Sequence, residues 1–191
     1  MIKTIDIRFA DDELRRFENM IGALGEGKAR VGLARAVNRV TDTVHTRVIR
    51  AIVKQSSIPR DIVRRSVKKT KAAHKGDGPL RGVVYAFGDD IPLKHFQAKQ
   101  FAFGVKAKVW GSWKRFPGTF IWAGTYRSGV PVRNEHVFHR LTANSLPLAM
   151  MKGPAVPDEL VKNEAEKEYE RAVRDMLPAR AMHELSRLLN A

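Results

Sequence analysis

The chain has 191 residues, 43% of them hydrophobic, no Cys and a formal net charge of +15 at pH 7. That apolar content can offset the conformational entropy of one folded domain, and the lack of Cys excludes a disulfide framework, a thiolate metal site and a Cys nucleophile. The longest apolar run, Leu146 to Met151, is far short of the roughly 20 residues a bilayer span requires, and no charged segment followed by an apolar one opens the chain, so the sequence reads as neither secreted nor membrane-spanning, in keeping with a cytosolic history.

In chain order, Ile5, Ile7 and Phe9 alternate with Asp6 and Arg8 as in a half-buried strand. Asp11 and Asp12 then offer an N-cap for a helix with Leu14, Phe17, Ile21 and Leu24 on one face, closed by Gly25 and Gly27. A long helix follows from about Ala29 to Lys54, its apolar stripe made by Leu33, Val37, Val40, Val44, Val48 and Ile52. At 1.5 Å per residue it would be roughly 39 Å long. Arg35, Arg39, Arg47, Arg50 and Lys54 occupy its other face, which is either a solvated face or a basic strut towards an anionic neighbour.

Ser57, as N-cap, and Pro59 start a third helix carrying Ile62, Val63 and Val67. Lys68 to Lys75 reads as a basic strand or arm running into a turn at Gly76 to Pro79, and Leu80 to Phe87 as a strand with a turn at Gly88 to Asp90. Leu93, His95, Gln97 and Phe101 to Val109 alternate, interrupted at Gly104, and Val105, Ala107 and Val109 oppose Lys106, Lys108 and Trp110. Gly111 to Arg115 is the expected hairpin tip, Pro117-Gly118 turns the chain into Thr119 to Trp122, and a second hairpin is expected from Gly124 to Gly129 with Val130 to Arg133 and Val137 to Arg140. Phe120 and Ile121 read as core. Leu146 to Pro157 is an apolar connector whose prolines rule out a continuous helix, and a terminal amphipathic helix from about Pro157 carries Val161, Ala165, Tyr169, Ala172 and Met176, with a kink or restart at Pro178 before Met182, Leu185, Leu188 and Leu189. The fold class is therefore α+β: a mixed or antiparallel β-sheet packed against a long helix of the N-terminal half, with residues 1–154 as the core and 155–191 as a C-terminal helical segment of the same domain.

The charge is unevenly spread. Lys28 to Lys75 holds 14 Lys and Arg against 2 acidic residues, and Ala155 to Ala191 holds 6 basic and 8 acidic. A phosphate backbone and an acidic protein surface would both answer that field. His136 and His139 have a metal-like spacing, but in a strand they point to opposite faces. The carboxylates read as caps and solvated faces rather than an acid–base pair, and no Gly-Lys-Ser or Gly-Lys-Thr phosphate loop is present. No catalytic, cofactor or metal site is expected. The contact residues expected instead, towards a protein or DNA, are Arg35, Arg39 and Arg47 on the long helix, Lys68, Lys69 and Lys71 on the arm, and Lys108, Trp110, Trp113, Lys114 and Arg115 on the hairpin. Rings interleaved with cations could also stack on bases beside phosphates, so a nucleic-acid binder using the basic helix and hairpin tip is the alternative reading.

Ala36-Val37-Asn38-Arg39, Ile91-Pro92-Leu93, Gly104 to Gly111, Pro117-Gly118-Thr119-Phe120-Ile121, Val137-Phe138-His139-Arg140, Leu146-Pro147-Leu148 and Gly153-Pro154-Ala155-Val156-Pro157, taken in succession, resemble the prophage minor tail protein Z family, tail completion proteins of long-tailed phages. The resemblance runs from about Ala29 to the C-terminal helix; the N-terminal strand and helix and the Trp110 to Trp113 tip match no family pattern. It implies a structural, non-enzymatic role at the head-proximal end of the tail, needed for tail maturation and head–tail joining. It further implies other tail or neck proteins and further copies in a ring as partners, a place in the virion neck after assembly in the host cytoplasm, and incidental, non-specific contact with phage DNA.

Overall fold

Strand β1 (Ile2–Arg8) and a short helix α1 (Glu18–Leu24) precede α2 (Glu26–Ser56), the helix around which the computed structural model is built. Residues 1–9, 15, 17–74, 78–122 and 135–190 are described. The expected Asp11-Asp12 cap and Leu14, the turn residues Gly76 and Asp77, and the hairpin segment from Gly124 to Arg133 lie outside them.

At 31 residues α2 is roughly 46 Å long. Leu33, Val37, Val40, Val44, Val48 and Ile52 are buried as their spacing requires, and so are Ala29, Ala34, Ala36, Ile49 and Ala51. Burial this wide means that two elements cover the helix. Each fully buried Val or Ile contributes roughly 1.5–3 kcal/mol.

The first cover is an antiparallel sheet in the order β1–β3–β2, with β2 at Val67–Thr70 and β3 at Arg81–Phe87. Ile5 pairs with Val84 and Ile7 with Gly82, while Val67 pairs with Ala86. These alternating positions face the helix. Gly82 lies directly on Thr41 of α2, where any side chain would collide with the Thr41 hydroxyl. The second cover is α5 (Asn163–Leu189), which runs antiparallel to α2: Leu185 and Leu188 near its end pack over Gly32 near the start of α2, and its first turn meets Gln55 at the other end. Small residues let the two helices approach closely. One apolar cluster joins Ile7, Val37, Val84, Val105, Leu160 and Leu185, and so spans both covers.

Between the covers the chain forms α3 (Arg60–Ser66), β4 (Asp90–Pro92), β5 (Lys99–Phe101), β6 (Gly104–Val109), β7 (Ser112–Pro117), β8 (Thr119–Ile121), β9 (Val137–Arg140), β10 (Leu148–Met150), β11 (Lys152–Ala155) and α4 (Val156–Leu160). Three further antiparallel sheets result, in the orders β5–β6–β7, β10–β9–β8 and β11–β4. The class is α+β with a long helix in the N-terminal half and a helical C-terminal segment, as the sequence implies.

Two local expectations are corrected and two are made specific. Ser57 is the left-handed C-cap of α2 (φ 64°) instead of the N-cap of the next helix, which Pro59 enters. Leu93 to His95 is a 3₁₀ turn, not strand, because Pro92 breaks the ladder and the turn buries both Leu93 and Phe96. The apolar connector is not a continuous helix, as its prolines imply, and supplies β10 and β11, with a pair of hydrogen bonds, Leu93 N–H to Met151 O and Met151 N–H to Val137 O, stitching it to its neighbours. Helix α5 runs through Pro178 without restarting, since Leu177, Ala181 and Leu185 are buried on either side of it and outweigh the lost hydrogen bond.

The contact between Gly82 and Thr41 makes a test of sheet-to-helix spacing. Gly82→Ala should cost about 1–3 kcal/mol by overpacking, a fall in Tm of roughly 2–12 °C for a chain this size. Thr41→Ala in the same background should cost less than the two single changes added, in thermal unfolding followed by circular dichroism.

Candidate interaction surface

The contact residues expected from sequence fall into two groups. Arg35, Arg39, Arg47 and Arg50 lie exposed along α2 and line shallow grooves together with Asp42, Thr43 and Thr46. Arg47 faces Glu168 of α5 at 4.0 Å, a contact at the limit of an ion pair. Arg35, Arg39 and Arg50 have no ion pair among the described residues.

The arm is tied down more firmly. Asp42 receives Lys69 Nζ at 2.7 Å and Lys71 Nζ at 3.0 Å. Partial burial pushes the Asp42 carboxyl up, but the hydrogen bonds and charges of the two ammoniums outweigh it and hold its pKa below the ordinary 3.8. Asn38 extends the clamp: its side chain donates to Ala72 O at 3.1 Å and accepts from Ala72 N–H at 2.7 Å, mimicking a backbone ladder on a buried helix face. Of the three arm lysines, only Lys68 is left without an acidic partner among the described residues.

The second group sits on the β5–β6–β7 sheet. In register, Lys99 faces Lys106, Lys106 faces Arg115, and Lys108 faces Trp113. Alternation puts Lys106, Lys108, Trp113 and Arg115 on the outward side, while Val105, Ala107 and Val109 are buried beneath. Phe101 and Phe103 complete this face, stacked with centroids 5.4 Å apart and planes 8° from parallel. Arg115 lies 5.2 Å from the Phe103 ring, and Lys106 and Lys99 lie 5.4 Å and 6.0 Å from Trp113. Trp113, Phe101 and Phe103 stay 43%, 43% and 39% exposed. The sequence pattern revealed Lys108, Trp113 and Arg115; it missed Lys99, Phe101, Phe103 and Lys106 as their partners because only the strand register brings β5 alongside.

Trp110 and Lys114 belong elsewhere. The hairpin turn is Trp110-Gly111, with φ of 51° and 73°, and Ser112 to Pro117 is strand, so the expected tip at Gly111 to Arg115 is corrected to Trp110-Gly111. A bulky residue with positive φ is strained, and the turn is held by docking. Trp110 N–H donates to Ser56 O at 3.1 Å, Gly111 N–H to Ser57 Oγ at 2.9 Å, and the indole N–H to Glu159 Oε1 at 3.1 Å. Glu159 is buried, and its other oxygen accepts from Gln55 Nε2 at 2.8 Å. Lys114 covers the indole, 4.2 Å from its centroid. Trp110 is thus an anchor of the hairpin to the end of α2.

Phe120 and Ile121, expected in the core, are only half-buried. Phe120 packs against Trp122 and Phe138, and with Leu146, Leu148 and Arg140 it lines an apolar groove beside β8. His136 stands beside Phe138, with its pKa lowered by burial and then by the charge of Lys94. Among the described residues no group of three or more His, Asp or Glu is placed to hold a metal ion. No family model matches the chain, and no curated protein or solved structure was found to match it.

Two predictions follow from these anchors. Trp110→Phe keeps the ring but leaves a buried Glu159 oxygen unpaired, which should cost about 1–3 kcal/mol and lower Tm in calorimetry by roughly 2–12 °C. Asp42→Asn removes a carboxylate whose folded pKa is depressed; its contribution is complete above the unfolded value near 3.8 and disappears as pH falls through the lower folded pKa. Wild type should therefore be the more stable at pH 7, and the two Tm curves should converge as pH drops below that value.

Proposed function

We propose that this chain is a structural tail completion protein of a long-tailed phage, acting at the head-proximal end of the tail in tail maturation and head–tail joining. The observation that carries the reading is spatial. The segments that resemble the minor tail protein Z family are scattered from Ala36 to Pro157 in sequence, yet they are neighbours in the fold: β4 pairs with β11, β9 with both β8 and β10, and β6 leads through β7 into β8.

Surface chemistry fits assembly. Leu146 is exposed on the apolar groove it lines with Phe120, Ile121, Trp122 and Leu148, with Arg140 on its rim 5.3 Å from the Phe120 ring. An aromatic centre with an Arg at its edge is what protein interfaces favour. Heterologous contacts between copies close into rings, and a neck ring surrounds the path of the DNA, where the basic ridge of α2 would be favourable.

Deleting the reading frame from a phage that encodes it should leave filled heads and finished-length tails unjoined, visible by electron microscopy, with infectivity restored by the wild-type chain supplied in trans. Normal joining in the deletion would overturn the reading. Leu146→Asp, at 62% exposure, should fail to restore joining while the purified protein keeps its wild-type Tm.

A further inference from the structure

Lys99, Lys106 and Arg115 stand directly opposite one another across three adjacent strands. Like charges in facing positions of a sheet are destabilising, and Lys108 adds a fourth cation to the same face. No carboxylate lies within ion-pair distance of any of the four among the described residues. Their nearest partners are rings: Trp113 for Lys99 and Lys106, and Phe103 for Arg115. Retaining such a row makes physical sense when an anion outside the chain completes it.

We infer that the outward face of the β5–β6–β7 sheet, formed by Lys99, Phe101, Phe103, Lys106, Trp113 and Arg115, binds a single strand of nucleic acid. This goes beyond the tail reading and does not rest on it. The cations account for phosphates; the rings decide the kind of polymer. Unpaired bases offer flat faces that stack on exposed Trp and Phe, whereas a duplex hides those faces and shows only base edges in its grooves. A peptide of acidic residues alone would satisfy the charges but has nothing to place on the rings. The two aromatic stations lie at opposite ends of the face. Trp113 is four residues from Pro117, which pairs with Gly104 in the same row as Phe101, or about 13 Å at strand rise. The cationic row of Lys99, Lys106 and Arg115 crosses the sheet between them. A strand laid along β7 would stack a base at each end and pass its phosphates over that row. The lysines now leaning on Trp113 have long, flexible stems, so they can turn to the phosphates and uncover the indole. Trp110 takes no part, since its indole N–H is committed to Glu159.

The test is fluorescence anisotropy of a labelled oligo-dT titrated with the purified full chain at low salt, against a duplex of equal length and a polyglutamate peptide as competitors. Oligo-dT should bind more tightly than duplex and resist polyglutamate. Trp113→Ala should weaken binding roughly 5- to 150-fold, the range for loss of one stacked base, while Trp113→Phe keeps most of it. Lys106→Ala should make the log–log salt dependence shallower by about 0.7, the single-strand value for one phosphate contact. Arg39→Ala, on the α2 ridge, should weaken oligo-dT binding less than Lys106→Ala does. If Trp113→Ala lowers the folded fraction seen by circular dichroism, the salt slopes of Lys99→Ala and Lys106→Ala decide in its place. The inference is overturned by failure to bind oligo-dT at low salt, by duplex or polyglutamate binding as well, by indifference to Trp113→Ala in folded protein, by unchanged salt slopes, or by a loss on Arg39→Ala equal to that on Lys106→Ala.

Discussion

The structure depends on the burial of α2 from two sides. A helix with only an apolar stripe needs one cover, but Ala29, Ala34, Ala36, Ile49 and Ala51 widen the apolar arc beyond what one sheet can hide. The β1–β3–β2 sheet takes one side, and α5, from the far end of the chain, takes the other. Neither cover suffices alone, so residues near both termini are drawn into one core. Small residues set the distances: Gly82 admits Thr41, and Gly32 admits Leu185 and Leu188. The apolar material thereby consumed leaves only a narrow ridge of α2 in water, and that ridge holds Arg35, Arg39, Arg47 and Arg50.

The C-terminal end of α2 then becomes the junction from which the rest is positioned. A helix end leaves carbonyls and a turn to be satisfied. Here Ser56 O accepts from the Trp110 amide, Ser57 Oγ from the Gly111 amide, and Gln55 accepts from Ala165 N–H while donating to Glu159. Three segments remote in sequence are fixed by three consecutive residues, Gln55 and Ser57 through their side chains and Ser56 through its carbonyl. Because the hairpin turn is pinned there, the register of β6 and β7 is pinned as well, and with it the side of the sheet on which each cation emerges. A slip of one residue would exchange Trp113 and Arg115 for Lys114 and Phe116.

How much of this was legible in the sequence follows from the range of the interactions concerned. Periodicity over Leu33 to Ile52 gave the long helix, and alternation of Val105, Ala107 and Val109 with Lys106 and Lys108 gave the inner and outer faces of β6, because both signals are local. Ser57 was misplaced because a Ser before a Pro has the composition of an N-cap, whereas its φ of 64° and its bond to Gly111 depend on a hairpin 54 residues away. Trp110 looked like a free aromatic for the same reason, its buried acceptor Glu159 being 49 residues downstream. Lys69 and Lys71 resembled free cations until Asp42, an isolated carboxylate in a basic stretch, was placed between them. Partners of this kind leave no pattern within a window of neighbouring residues. The ring-and-cation face was half visible, since β7 carries its own signal but the three residues of β5 are too few to show a period.

The two basic regions differ in what they can do, although composition alone would merge them. On α2 and the arm after it, part of the charge is answered within the chain, by Asp42 for Lys69 and Lys71 and by Glu168 at a distance for Arg47, and its neighbours there are hydroxyls and carboxylates. Charge of that kind produces a field over the surface and favours any anion nearby, without preference for its shape. On the β5–β6–β7 face the cations oppose one another in register and, among the described residues, are answered only by rings, and the rings stay open to solvent. Electrostatics attracts a polyanion to either region, but only the second offers flat apolar surface to what the polyanion carries. Selectivity between one anionic polymer and another must therefore arise on the sheet, and the position of that sheet is set by the end of α2.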